Sequence, residues 1–151
     1  MRISRDFSFS AGHTIWGHKG KCAQFHGHNY KVTLVVESSD LDDLDMVMDF
    51  GFLKQLWSQI DSIYDHKFLI WDQDPRFPQL FATDSKSIVV TQGRPTAEFL
   101  SKSIFDQMEE LIYASTDELQ AGRPGNFDSL RRIHMARVTV QETEDCSATY
   151  P

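Results

Sequence analysis

The stretch HGHNYKVTLVVE, residues 26–37, decides how the rest of the chain folds. From His28 onward the even positions Tyr30, Val32, Leu34 and Val36 are apolar, while Asn29, Lys31, Thr33 and Glu37 are polar. That alternation has the period of a strand with one face buried. The same parity takes in His26 and His28. Two apart on an extended backbone, both rings leave the sheet on its apolar side. The polar rings therefore converge at the mouth of a core strand.

Immediately upstream, FSFSAGH (residues 7–13) alternates in the same way, with Phe9 and Ala11 on one face and His13 closing the strand on their parity. If the two strands pair, His13 arrives beside His26 and His28. Three imidazoles around one point form a zinc site with a fourth position left open, as catalytic zinc requires. The competing metal set is Cys22 with two of the histidines. The spacing does not match zinc fingers, which need two paired ligand sets.

Downstream, SSDLDDLD is a polar connection, and Asp49 is placed to cap a helix over about 50–64 with Leu53, Leu56, Trp57, Ile60 and Ile63 or Tyr64 on its inner stripe. Residues 71–94 contain two prolines and one short β-like run, SIVV, which predicts a long connection with a single edge strand. PTAEFLSKSIFDQMEELI opens a second helix, with Ala97, Leu100, Ile104, Met108 and Leu111 on one stripe. After a loop at AGRPGN, Ala136, Val138 and Val140 alternate with polar residues and Glu142 extends their face. CSATY can then pair back across ETED as a hairpin. The order ββααββ predicts one α+β domain over 1–151: a four-stranded antiparallel sheet with two helices on one face. Its free edges favour pairing with another subunit.

Composition narrows the function classes. The 151 residues are 40% hydrophobic and 25% charged with a net charge of −7, so there is no basic field to gather nucleic acid. Neither a secretory h-region nor a membrane-length apolar run is present, which places the two cysteines, Cys22 and Cys146, as free thiols in a reducing cytoplasm.

Taken in order, FSFSAGH, Cys22 ahead of HGHNY, MVMDFGFLK, DHKFL, PTAE and the final ET resemble the 6-pyruvoyl-tetrahydropterin and 6-carboxy-tetrahydropterin synthase family over nearly the whole chain. The resemblance implies a T-fold subunit, assembled as a homohexamer of two trimers with active sites between subunits. It implies Zn2+ on His13, His26 and His28, a proton-transferring thiol at Cys22, and a partner pair at Asp65 and His66. It also implies a pterin-anchoring carboxylate at Glu142, which suits a ring edge carrying adjacent N–H and NH₂ donors. Thr96 and Glu98 match the family segment that opens the second helix near the pterin, with Ala97 where a hydroxyl residue is frequent. Lys19, Lys21, Lys54, Lys67 and Arg94 are candidates for holding a triphosphate. His18 stands outside the ligand set and Cys146 is read as structural.

The implied activity is conversion of 7,8-dihydroneopterin triphosphate to 6-carboxy-tetrahydropterin, acetaldehyde and triphosphate, toward queuosine-type deazapurines. MDFGFLK and DHKFLIWDQDP resemble bacterial members of that branch. The alternatives are a 6-pyruvoyl-tetrahydropterin synthase, which retains the side chain, another T-fold pterin enzyme, and a non-catalytic zinc or pterin-binding module.

Overall fold

The computed structural model describes residues 1–115 and 133–151 in full and the backbone of 116–122. Six strands form one sheet in the order β4-β3-β1-β2-β5-β6. They are β1 (Arg2–His13), β2 (His26–Ser38), β3 (Lys67–Trp71), β4 (Ile88–Thr91), β5 (Ile133–Thr143) and β6 (Cys146–Tyr150). Three α-helices, α1 (Phe50–Tyr64), α2 (Phe77–Thr83) and α3 (Ala97–Gly122), complete the chain.

The four strands legible in the sequence are β1, β2, β5 and β6, and they form a contiguous antiparallel half. The expected count of four is corrected to six, because β3 and β4 extend the sheet beyond β1 by parallel pairing. β3 is the segment KFLIW, in which adjacent Leu69 and Ile70 are both fully buried. A strand covered on both faces carries no alternation to betray it. β4 is the expected edge strand. The long connection also holds a helix, α2, whose Pro78 sits in the first turn, where proline costs no hydrogen bond.

α1 begins where Asp49 caps it, its Oδ1 accepting from the Gly51 and Phe52 N–H groups at 2.6 and 3.1 Å. Its stripe buries Leu53, Leu56, Trp57, Ile60 and Tyr64, so Tyr64 faces inward and Ile63 faces out. α3 buries Leu100, Ile104, Met108 and Ile112, with Leu111 half-buried beside them. Both helices cover the sheet face formed by Phe9, Tyr30, Val32, Leu34, Val138 and Val140. On β5 the expected inward parity holds at Val138 and Val140 but not at Ala136. A register shift between Val35 and Val36 leaves Ala136 unpaired, so Met135 and Ile133 point inward instead. The loop expected at AGRPGN falls almost wholly outside the described residues. Among the described residues no helix is long and apolar enough to cross a membrane.

Candidate active site

The β1–β2 register pairs His13 with His26 and Ala11 with His28, which sets the three histidines on one face at one end of the strands. Their ligand-capable atoms all lie within 4.8 Å of one another. This is the juxtaposition anticipated from strand parity. It depends on close approach of the two backbones, since a Cβ on Gly27 would lie 2.9 Å from the Ala11 carbonyl oxygen.

Hydrogen bonds fix which nitrogen each ring presents. His13 Nδ1 donates to the Pro95 carbonyl at 2.7 Å and His26 Nδ1 donates to the Gln24 carbonyl at 2.8 Å. Both Nε2 atoms then carry lone pairs, and they face each other at 3.0 Å. Two facing lone pairs at that distance repel unless a proton or a cation lies between them. Burial first, and the neighbouring His26 and His28 next, push His13 down to about 4 in spite of its bond to Pro95. Burial and His26 push His28 down as well. His13 and His28 are therefore predominantly uncharged at neutral pH, the state a metal requires of imidazole. The Nδ1 bonds supply the orienting outer contacts typical of metal-binding histidines.

Beside the cluster stands Glu142, its Oε1 3.9 Å from His13 Nε2. The β5–β6 register shifts between Gln141 and Thr143, and the irregularity falls on Glu142 at the rim of the site. Glu142 Oε1 and the hydroxyl of fully buried Tyr30 have no hydrogen-bond partner, the two such side-chain atoms among the described residues. Burial first, then the Glu98 carboxylate, push Glu142 upward. Burial and Glu142 push the Tyr30 phenol upward too, so it stays protonated. The Tyr30 phenol neighbours the Glu142 carboxylate and acts on its ionisation without a well-formed bond, and an oxygen so under-satisfied suits a ligand's N–H groups.

A cleft of about 450 Å³ joins these groups, lined by His13, His26, Cys22, Thr96, Glu98 and Glu142 among others. Cys22 is exposed on a one-turn 3-10 helix, Lys21–Ala23. Thr96 uses its hydroxyl to accept from Phe99 N–H at 3.3 Å, capping α3 at the cleft wall. Of the lining residues that sequence reasoning did not place in the cleft, two carry distinctive chemistry. His18 is one, its Nδ1 accepting the Gly20 N–H at 2.9 Å, an orientation set by a local turn with no periodic signature. The other is Cys146, which is exposed and lines the cleft, correcting its reading as a structural thiol.

Asp65 and His66 lie elsewhere. Asp65 Oδ1 accepts the Ser10 N–H at 2.8 Å and Oδ2 accepts from His66 Nδ1 at 2.6 Å. The Ser10 N–H, and then His66, hold the Asp65 carboxyl below the usual carboxylate range. His66 adopts a left-handed φ of 57°, and its backbone N–H is anchored on the Ser10 carbonyl. The pair contact is thus real, but His66 opens onto a second cavity of about 570 Å³ that it shares with Ser10, Asn29 and Lys67 and also with His26 and His28. Ser10 and Asn29 pair with the opposite parity to the triad, so the cavity wraps the end of the strands, with His26 lining both cavities and His28 lining this one. Within one chain, Cys22 and His66 serve different cavities.

None of the five basic candidates lines the Cys22 cleft, whose described wall holds Glu98, Glu142 and Asp145 but no lysine or arginine, while Lys67 lines the second cavity with His26 and His28. Arg94 is occupied, its Nε donating to the Trp16 carbonyl at 2.7 Å and its guanidinium lying 4.1 Å from the Trp71 ring centroid. Lys67 donates to the Lys86 carbonyl at 2.8 Å.

A mixed sheet backed by helices, with a histidine triad at one end of its central strands, defines a subunit of the tunnelling-fold class. The chain belongs to the 6-pyruvoyl tetrahydropterin synthase family, whose model matches residues 2–151. It is similar to the 6-carboxy-5,6,7,8-tetrahydropterin synthase of Aquifex aeolicus, with 29% identity over 98% of this chain and 96% of that protein. It is similar also to the enzyme of that name from Rickettsia bellii, with 31% identity over 76% and 85%. The 6-pyruvoyltetrahydropterin synthase structure of Plasmodium vivax shares the fold at a TM-score of 0.72, with 22% identity and coverage of 99% and 96% of the two chains. The chain is thus a tetrahydropterin synthase by family, a lyase class acting on pterins.

Proposed function

We propose that the chain, as one domain over 1–151, is a zinc-dependent 6-carboxy-5,6,7,8-tetrahydropterin synthase of the cytoplasm. Its substrate is 7,8-dihydroneopterin triphosphate and its products are the 6-carboxy pterin, acetaldehyde and triphosphate, toward queuosine-type deazapurines. The observation that carries the reading is a cluster of three imidazoles, two of which share one cleft with an exposed thiol and a carboxylate that has one buried oxygen without a partner.

His13, His26 and His28 would hold the zinc, their Nε2 atoms freed by the Nδ1 bonds of His13 and His26. Bound there, zinc supplies Lewis-acid stabilisation of charge developing on the substrate's side-chain oxygens. Glu142 takes the pterin's adjacent N–H and NH₂ donors through two charge-assisted bonds, satisfying its orphan oxygen and fixing the ring. Thr96 and Glu98 close the wall behind it. Cys22, at the open side of the cleft, moves a proton to or from the substrate side chain.

His66, oriented by Asp65, is the second proton carrier. It lines a cavity with His26 and His28 from which Cys22 is absent, and we read it as serving the cleft of a neighbouring copy. This supports an assembly with shared active sites, a hexamer of two trimers. In such an assembly the triphosphate would meet cations of a neighbour, since the wall of the Cys22 cleft is acidic and Lys67 lies in the cavity with His66.

Zinc-loaded protein incubated with 7,8-dihydroneopterin triphosphate should release triphosphate and acetaldehyde and form the 6-carboxy product by mass. Cys22→Ala should keep its zinc and lose turnover. Triphosphate release with the side chain retained would instead make it a 6-pyruvoyl synthase. Absence of turnover in the wild type would leave a zinc or pterin-binding module.

A further inference from the structure

The segment between β3 and α2 reaches across to the loop that carries Cys22. Asp74, 2% exposed, accepts three bonds from Arg76: from its backbone N–H at 2.9 Å, from Nε at 2.9 Å and from Nη2 at 2.6 Å. These bonds fix the guanidinium plane. Its remaining donors then point away from Asp74, Nη2 to Thr14 Oγ1 at 2.9 Å and Nη1 to the Ala23 carbonyl at 3.2 Å. Thr14, 1% exposed, itself donates to the Ala23 carbonyl at 3.0 Å. The Trp16 and Phe25 ring centroids lie 5.0 and 4.9 Å from the guanidinium carbon. One cation therefore ties together both ends of the segment from Thr14 to Phe25, inside which Cys22 sits. Cys22 is fastened once more through its carbonyl, which accepts from Ile15 N–H at 2.8 Å.

We propose that Arg76 is a positioning residue for Cys22, its guanidinium holding the 14–25 loop so that the thiol stays in the cleft beside the histidines. The proposal rests on Cys22 being the working thiol. A planar fork is required, because three directions must be served at once: Asp74, Thr14 and the Ala23 carbonyl. A lysine ammonium beside Asp74 preserves the charge but not the fixed fork. The Ala23 carbonyl is the critical contact, adjacent in sequence to Cys22 and two bonds of loop backbone away from Gln24, whose own carbonyl orients His26.

The test uses zinc-loaded protein carrying Arg76→Lys, Thr14→Val or Thr14→Ser. Thr14→Val removes the shared hydroxyl at nearly constant volume and leaves the Arg76–Asp74 pair intact; Thr14→Ser keeps the hydroxyl. Iodoacetamide labelling followed by peptide-resolved mass spectrometry reads Cys22 and Cys146 separately. Because Cys22 is already exposed, its labelling reads the thiol's surroundings: Arg76→Lys and Thr14→Val should change the Cys22 labelling rate at least about threefold in either direction as the thiol leaves its place beside the histidines, and leave Cys146 unchanged. Their kcat should fall by roughly 10- to 100-fold, the scale of a misplaced catalytic group, with a much smaller change in KM. Thr14→Ser should match the wild type in both respects. Unchanged Cys22 labelling in Thr14→Val with native melting overturns the proposal, even if Arg76→Lys fails to fold. Should the wild type not turn over the pterin triphosphate, the functional reading fails while the labelling rates still decide whether Arg76 holds the loop.

Discussion

His13 carries the most displaced acid–base equilibrium of the histidine cluster, pushed down to about 4 by burial against an ordinary value of 6.5. Between those pH values the unfolded chain binds a proton that the folded, metal-free chain does not. Stability from His13 is therefore complete above pH 6.5 and is lost as pH falls toward 4, a total on the order of 3 kcal/mol. Urea unfolding of metal-free protein at pH 7.5 and pH 5 should show this loss in the wild type and less of it in His13→Gln; equal slopes in both would contradict it. Glu142→Gln should raise KM for the pterin by roughly 10- to 100-fold with zinc content unchanged, the range of charge-assisted bonds lost to a neutral amide. The three histidines and Glu142 were legible because strand parity alone assigns them to one face. Pro95 was not, since a backbone carbonyl that orients His13 across 82 positions leaves no trace in residue type.

Elements place these side chains, and the joint between β1 and β2 is the sensitive one. Gly27→Ala sets a methyl against the Ala11 backbone, which cannot swing aside as a side chain can. It should cost about 1–3 kcal/mol by overpacking and weaken zinc binding together, because spreading the strands separates His13 from His26. Asp49→Ala removes the α1 cap and should cost about 1 kcal/mol while leaving zinc affinity intact. Thermal melts paired with zinc titration separate the two outcomes. The amphipathic elements were readable from the sequence: α1, α3, β1, β2, and the Val138–Val140 half of β5. β3 was hidden by burial on both faces, and the upstream half of β5 was mis-phased by the bulge at Ala136. α2 was obscured by prolines, whose tolerance in a first helical turn makes them ambiguous punctuation.

On the scale of the whole molecule, the proposed sharing of sites between copies makes a sharp demand, since Cys22 and His66 line different cavities. Cys22→Ala and His66→Ala should each be inactive alone. Unfolded together and refolded as a mixture, they should regain a substantial fraction of wild-type turnover, because some clefts then combine an intact thiol with an intact imidazole. Failure to complement, with mixed oligomers demonstrated by mass, would place both groups in one chain's chemistry and contradict the shared site. Net charge excluded a general polyanion binder from the sequence alone. The acidity of the cleft wall could not be anticipated, since Glu98, Glu142 and Asp145 come together only through folding. The stacking of Trp16 on Arg76 has a practical corollary. Of the three tryptophans, Trp57 is buried at 5% exposure while Trp16 is exposed at 41%, so a dissolved quencher such as acrylamide should reach the Trp16 indole far sooner than that of Trp57. The chain thus carries an intrinsic optical reporter next to its thiol-bearing loop, and emission intensity can follow loop movement in real time without any attached dye.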